Sequence, residues 1–94
     1  MAENISEILF DLLSPDRLAL VSELNLRKQR LTALAKILKC TVQECSRNLN
    51  RLTDSGFIKK DSDGLYDITP FGRAMLSLVP GFGFLIKHRE FSPR

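Results

Sequence analysis

Between Thr41 and Asp54 the chain reads TVQECSRNLNRLTD, and its polar members are amides, hydroxyls and guanidiniums. Such groups hydrogen-bond rather than break bonds. Arginine presents a planar fork to guanine or phosphate, glutamine and asparagine match adenine edges, and serine suits a base or a phosphate. At about 100° per residue, a helix gathers Val42, Cys45, Leu49 and Leu52 on one side. Gln43, Arg47, Asn50 and Arg51 fall on the other, with Ser46 and Asn48 on the flanks. Arg47 and Arg51 are thus expected on guanine or phosphate, Gln43 and Asn50 on adenine, and Ser46 on phosphate or base. The chemistry implied is readout of a double-stranded DNA major groove.

A reading helix must be held at both ends. Thr41 and Glu44 have the Thr-x-x-Glu spacing of a capping box, in which each side chain satisfies a backbone N–H of the opening turn. Thr41 can also give its hydroxyl or backbone N–H to a phosphate, because the helix dipole favours anions there. Glu44 faces the same side and would repel phosphate, so capping is its role. Gly56 is the stop, since glycine takes the left-handed C′ conformation without penalty. Upstream, Thr32 is the expected N-cap of a short helix over 33–39, with Leu34, Ile37 and Leu38 inward and Lys36 and Lys39 outward. Helix, brief Cys40-Thr41 turn and polar-faced helix make a helix-turn-helix over about 32–55. FIKK, DSDG and LYDI then read as two short strands around an exposed tip, a hairpin over about 57–68. As a wing it can lay Lys59, Lys60 and Tyr66 along the DNA backbone or minor groove; as a sheet edge it closes the core. Both readings are compatible.

The remaining segments build the body. Ile5, Ile8, Leu9, Leu12 and Leu13 follow helical spacing over 4–13, with Glu3, Glu7 and Asp11 on the polar side. Ser14-Pro15 restarts a helix that buries Leu18, Val21 and Leu24 and ends near Asn25. Arg27-Lys28-Gln29-Arg30 is a basic connector. Thr69-Pro70 repeats the cap-then-proline signal and opens a further helix through Phe71, Ala74, Met75 and Leu78. A C-terminal helical segment extends to about 91, and Phe82, Leu85 and Ile86 make it apolar. That segment, with the first helix, either supplies a dimer surface or covers the chain's own core. The expected fold is mainly α with a small β-hairpin, one winged helix-turn-helix domain over 1–94 with extra N- and C-terminal helices.

Composition narrows the class. The chain is 44% hydrophobic and 27% charged, ordinary for a globular protein, and carries a net charge of +3. That charge is unevenly spread: −4 over residues 1–26, +7 over 27–60 and zero over 61–94. A basic block around a polar-faced helix is the footprint of a nucleic-acid binder, although a solvated basic surface gives the same count. Lys36, Lys59 and Lys60 should add salt-sensitive, non-specific affinity. Cys40 and Cys45 have no second Cys/His pair to complete a zinc site, and Cys45 falls on the apolar face. No metal and no cofactor are expected. The sole histidine, His88, has no partner nucleophile, and there is no glycine-rich phosphate loop, so an enzyme is not expected. No apolar run approaches the ~18 residues that span a membrane. The acidic N-terminus is unlike a signal peptide, so the expected location is cytoplasmic.

LTALAKILKCTVQECSRNLNRLTDSGFIKK, followed by YDITPFGRAML, resembles winged helix-turn-helix transcriptional regulators of the broad ArsR-like kind. The carrying features are the capping Thr41 with Ser46-Arg47-x-Leu49-x-x-Leu52, the Asp54-Ser55-Gly56-Phe57-Ile58 transition, and Ile68-Thr69-Pro70-x-Gly72-Arg73. ISEILFDLLSPDR and FLIKHREF are similar to archaeal regulators resembling methanogenesis regulatory proteins, in which a reader of this kind precedes a sensor domain. The chain departs from the commoner pattern at Asn48 and Asn50, and it lacks the Cys-x-Cys motif of the metal-sensing branch. The resemblance implies sequence-specific DNA binding by a homodimer. The alternative is a winged helix used as a protein-assembly module, which an apolar outer face on the reading helix would favour.

Overall fold

The computed structural model of the chain describes residues 5–80. In order they form α1 (Ile5–Leu12), α2 (Pro15–Leu26), α3 (Leu31–Leu38), α4 (Val42–Asp54), β1 (Ile58–Lys60), β2 (Tyr66–Ile68) and α5 (Pro70–Leu76). The expected helix in the C-terminal segment, including His88, lies outside the described residues, as does Glu3.

Local chemistry sets the helix boundaries. Ser14 caps α2, its Oγ accepting from the Arg17 N–H at 3.2 Å, with Pro15 in the first turn. Thr69 does the same for α5, accepting from the Gly72 N–H at 2.9 Å. At the far end of α4, the Gly56 N–H donates to Thr53 O and the Phe57 N–H to Leu52 O, both at 3.0 Å, with Gly56 at φ +86°. This is the Schellman pattern, which satisfies carbonyls that the helix end leaves bare. α3 ends with the same pair of bonds, Lys39 N–H to Lys36 O and Cys40 N–H to Ala35 O, but the left-handed residue is Lys39.

α2, α3 and α4 pack around Leu20, Val21, Leu24, Leu34, Cys45, Leu49 and Leu52, all at most 1% exposed. Leu12 of α1 and Phe57, Ile58, Tyr66 and Ile68 of the hairpin segment close the same cluster. Burying each large apolar side chain contributes about 1.5–3 kcal/mol, so this one cluster dominates the fold's stability. The hairpin is antiparallel, with Ile58 opposite Ile68, Lys59 opposite Asp67 and Lys60 opposite Tyr66. Gln29 adds a further bridge, its N–H donating to Tyr66 O at 3.1 Å and its carbonyl accepting from the Tyr66 N–H at 2.8 Å.

Several expectations are corrected. α3 starts at Leu31 with Arg30 as its cap residue, not at 33 after Thr32, because the Gln29 bridge holds the connector extended up to Arg30. β1 starts at Ile58; Phe57 is still closing the cap of α4. Val42 and Ile37 are 48% and 45% exposed, since both sit at the helix-turn-helix corner where the core no longer reaches. Tyr66 is 5% exposed and belongs to the core, so it is not offered along the wing. In α2 the buried stripe is Arg17, Leu20, Val21 and Leu24, with Leu18 only half-buried.

Candidate nucleic-acid interface

Cys45, Leu49 and Leu52 are fully buried, and this spacing fixes which side of α4 faces out. Gln43, Arg47, Asn50 and Arg51 are exposed on that outer side, and Ser46 is half-buried on its flank. Burial pushes the Cys45 thiol up to about 11, and its Sγ lies 4.0 Å from Leu31 O. It packs as a small hydrophobe. Lys36 is exposed on the preceding helix of the pair.

The N-terminus of α4 carries a complete capping box. Thr41 Oγ1 accepts from the Glu44 N–H at 3.1 Å and donates to Glu44 Oε1 at 2.9 Å, and the Thr41 N–H donates to the same carboxylate at 3.3 Å. These bonds, first that from the Thr41 hydroxyl, lower the Glu44 carboxyl below its ordinary value, with a smaller contribution from the charge of Arg47. Both Thr41 donors are therefore held by Glu44, and a phosphate at this helix end would have to displace a carboxylate to reach them.

The hairpin separates the two lysines of the expected wing. Successive strand residues face opposite sides. Lys59 stands on the side opposite the core, across from Asp67, while Lys60 shares the side of Tyr66 with its Nζ 5.6 Å from the ring centroid. Both are exposed. The tip is tied down from behind: Arg30 Nη1 donates to Asp63 O at 2.8 Å, and Lys28 pairs with Asp61 at 3.9 Å. Asp61 Oδ1 accepts from the N–H groups of Asp63 and Leu65, and the Leu65 bond is the main reason its carboxyl lies below the ordinary value.

Residues that sequence reasoning left aside support the outer face from α1 and α2. Arg17 is 9% exposed. Its Nη2 donates to Phe10 O at 3.3 Å, its Nε donates to Asp11 O, and its Nη1 donates to Asn48 Oδ1 at 3.3 Å. One guanidinium thus caps the end of α1, where the helix dipole favours a cation, and ties it to α4. Asn48 is a structural acceptor, which accounts for one of the two departures from the commoner pattern. Asp11 lies beside it, with Oδ1 3.5 Å from Arg51 Nε and Oδ2 accepting from Ser55 Oγ at 2.5 Å. Arg17, Arg47, Asn48, Asn50 and Arg51 with Asp11 line a depression of about 660 Å³ beside the end of α1. The signal for Arg17 was present in the sequence, because residues 17, 20, 21 and 24 have the i, i+3, i+4, i+7 spacing of a buried stripe.

The same architecture occurs in solved structures. A Mycobacterium bovis protein, Mb0332, aligns with 96% of this chain over 87% of its own, at TM-score 0.77 and 17% identity. It is described as the homodimeric winged helix-turn-helix DNA-binding domain of a possible ArsR-family transcriptional regulator. The chain has the winged helix-turn-helix fold. The transcriptional repressor BigR from Xylella fastidiosa aligns with 96% of this chain over 89% of its own, at TM-score 0.67 and 19% identity. HlyU from Vibrio cholerae aligns with 92% over 90%, at TM-score 0.66 and 19% identity. No family model matches the sequence, and no curated protein sequence does. Among the described residues no helix is long and apolar enough to cross a membrane.

Proposed function

We propose that this chain binds double-stranded DNA sequence-specifically as a transcriptional regulator, working as a homodimer. α4 enters the major groove and the hairpin lies along the adjacent backbone or minor groove. The carrying observation is the outer face of α4, where Gln43, Arg47, Asn50 and Arg51 are exposed on a helix pinned by three fully buried apolar residues. Arg47 and Arg51 take guanine or phosphate, Gln43 and Asn50 take adenine edges, and Ser46 takes a phosphate or base. Lys36, Lys59 and Lys60 supply backbone contacts and salt-sensitive affinity, and the Thr41 end of α4 adds one where a phosphate displaces the Glu44 carboxylate. The description of Mb0332 as a homodimeric DNA-binding domain supports both the ligand and the assembly. A binding protein of this kind needs no reaction centre, so the reading is of a non-enzyme.

The protein-assembly alternative has one observation in its favour, the exposed Ile37 and Val42 at the corner between α3 and α4. Ile37 is on α3 and Val42 is on the arc of α4 that carries Cys45, Leu49 and Leu52, beside rather than on the polar face, and an apolar side chain at the start of a reading helix also suits a thymine methyl. DNA binding across a salt series, wild type against Arg47→Ala, separates the two. The expected result is preference for selected fragments over random DNA, affinity that falls with salt, and loss of about 1–3 kcal/mol of discrimination in the variant. Weak binding, equal on all DNA and indifferent to Arg47, refutes the proposal.

A further inference from the structure

We propose that Asp11, at the end of α1, is a positioning residue that sets selectivity on the reading face by restraining Arg51. The inference rests on the DNA-binding reading above. Asp11 bridges Arg51 in the last turn of α4 and Ser55, the cap residue that follows the helix, pairing with Arg51 Nε at 3.5 Å and accepting from Ser55 Oγ at 2.5 Å. Arg51 remains 52% exposed, and Asp11 26%. The guanidinium carries five donors in a fixed fork. Nε faces Asp11, while the two Nη groups have no partner among the described residues, which leaves the part of the fork suited to a bidentate contact.

This geometry acts in two ways. A pinned fork keeps its orientation, and bidentate recognition of a base edge depends on orientation, whereas a phosphate accepts a cation from many directions. The Asp11 carboxylate also places a negative charge beside the reading face, where it opposes any phosphate that approaches Arg51. On random DNA Arg51 rarely meets a matched base and binds mainly through phosphates, so it meets that opposition in full. A matched site offsets it with a base contact. Asp11 therefore weakens indiscriminate binding more than matched binding.

The end of α1 does not depend on the Asp11 charge for its position, because Arg17 holds the carbonyls of Phe10 and Asp11 and is itself held by Asn48. Asp11→Asn thus removes the charge while the amide oxygen can still accept from Ser55. On random-sequence duplex DNA, Asp11→Asn is expected to bind more tightly than wild type. Its log affinity against log salt should be steeper by about 0.9, the increment for one released arginine–phosphate contact. Its advantage then shrinks about threefold between roughly 50 and 200 mM salt. On fragments selected for binding the gain is smaller, so the preference narrows. Asp11→Glu, which keeps the charge, should retain the wild-type slope, and the double variant Asp11→Asn/Arg51→Ala should match Arg51→Ala alone. A wild-type slope in Asp11→Asn, or the same change in the Arg51→Ala background, overturns the inference while leaving DNA binding intact. Wild-type protein with no affinity for duplex DNA at low salt overturns the DNA reading, and this inference with it.

Discussion

Gly72→Ala sets two physical effects against each other, with opposite signs. Gly72 lies in the first turn of α5, where helix propensity alone favours alanine by up to about 1 kcal/mol. Packing says otherwise. A Cβ at this position would sit 2.0 Å from the carbonyl oxygen of Phe57, 2.9 Å from its carbonyl carbon and 3.0 Å from Ile68 Cγ1. Close C···O contacts lie at about 3.3–3.6 Å, so α5 or the Phe57 peptide must retreat by more than about 1 Å. Neither can do so freely. Phe57 O accepts from the Thr69 N–H at 3.0 Å, and the Thr69 hydroxyl reaches it at 3.1 Å. The Phe57 N–H in turn closes the end of α4 on Leu52 O, and its ring is fully buried and stacked on Phe71 at 5.4 Å.

Overpacking a tight contact costs about 1–3 kcal/mol, and one or two strained hydrogen bonds add about 1 kcal/mol each. Less the gain in propensity, the net loss falls between about 1 and 5 kcal/mol, with a central value of about 2–3 kcal/mol. At about 4–8 °C per kcal/mol for a domain of this size, the midpoint should fall by roughly 10–20 °C. Thermal unfolding followed by far-UV circular dichroism, at one fixed protein concentration, measures it. An unchanged or raised midpoint refutes the reasoning, because propensity would then have outweighed the contact.

Two further outcomes follow from the helix ends and the loop. Lys39 holds φ 57°, ψ 41° without being glycine, which costs about 1–2 kcal/mol. Lys39→Gly should therefore raise stability by about 0.5–1 kcal/mol after glycine's entropic cost, seen as a higher urea midpoint with unchanged slope. The Glu44 and Asp61 carboxyls both lie below their ordinary values of 4.5 and 3.8, so the unfolded chain takes up protons first on acidification. Their contribution is present in full above those values and is lost as pH falls through the lower folded ones. Glu44→Gln should accordingly flatten the acid limb of a stability–pH curve measured by urea unfolding.

What was legible in the sequence is what neighbours decide. Thr41 with Glu44, Ser14 with Pro15, Thr69 with Pro70, and Gly56 each act within a turn, and all four appear where their chemistry places them. The buried side of α4 was legible for the same reason, since one period orients the whole helix. Three features were not. Arg17 meets Asn48 across 31 residues, Ser55 meets Asp11 across 44, and Gln29 meets Tyr66 through backbone bonds with no side-chain signature. Periodicity supplies an angle but no depth, so Val42 was placed on the apolar arc although the core stops short of it. The sequence sets Lys59 and Lys60 together along the wing, while the period-2 alternation of a strand assigns them to opposite sides.

On the DNA-binding reading proposed above, the division of labour between Asn48 and Asn50 would set how much DNA one copy reads. Asn48 accepts from the buried Arg17, so it is a strut, and the outward groups reduce to Gln43, Arg47, Asn50 and Arg51, with Ser46 at the margin. At 1.5 Å per residue, Gln43 to Arg51 spans about 12 Å. Base pairs repeat about every 3.4 Å, so this length covers only about three or four of them. Each good base contact discriminates by about 1–3 kcal/mol, but a site of about three or four base pairs recurs far too often to be unique among a genome's roughly 10⁶–10⁹ competitors. In the proposed homodimer, a second copy on a symmetric half-site would double the contacts without adding any residue to α4. It also doubles whatever non-specific attraction the arginines bring, so the gain in selectivity depends on suppressing indiscriminate phosphate binding in each copy. On the two proposals above, that is the role of the Asp11–Arg51 pair: a second copy would multiply the base readout, and the carboxylate on α1 would keep the phosphate attraction from rising with it.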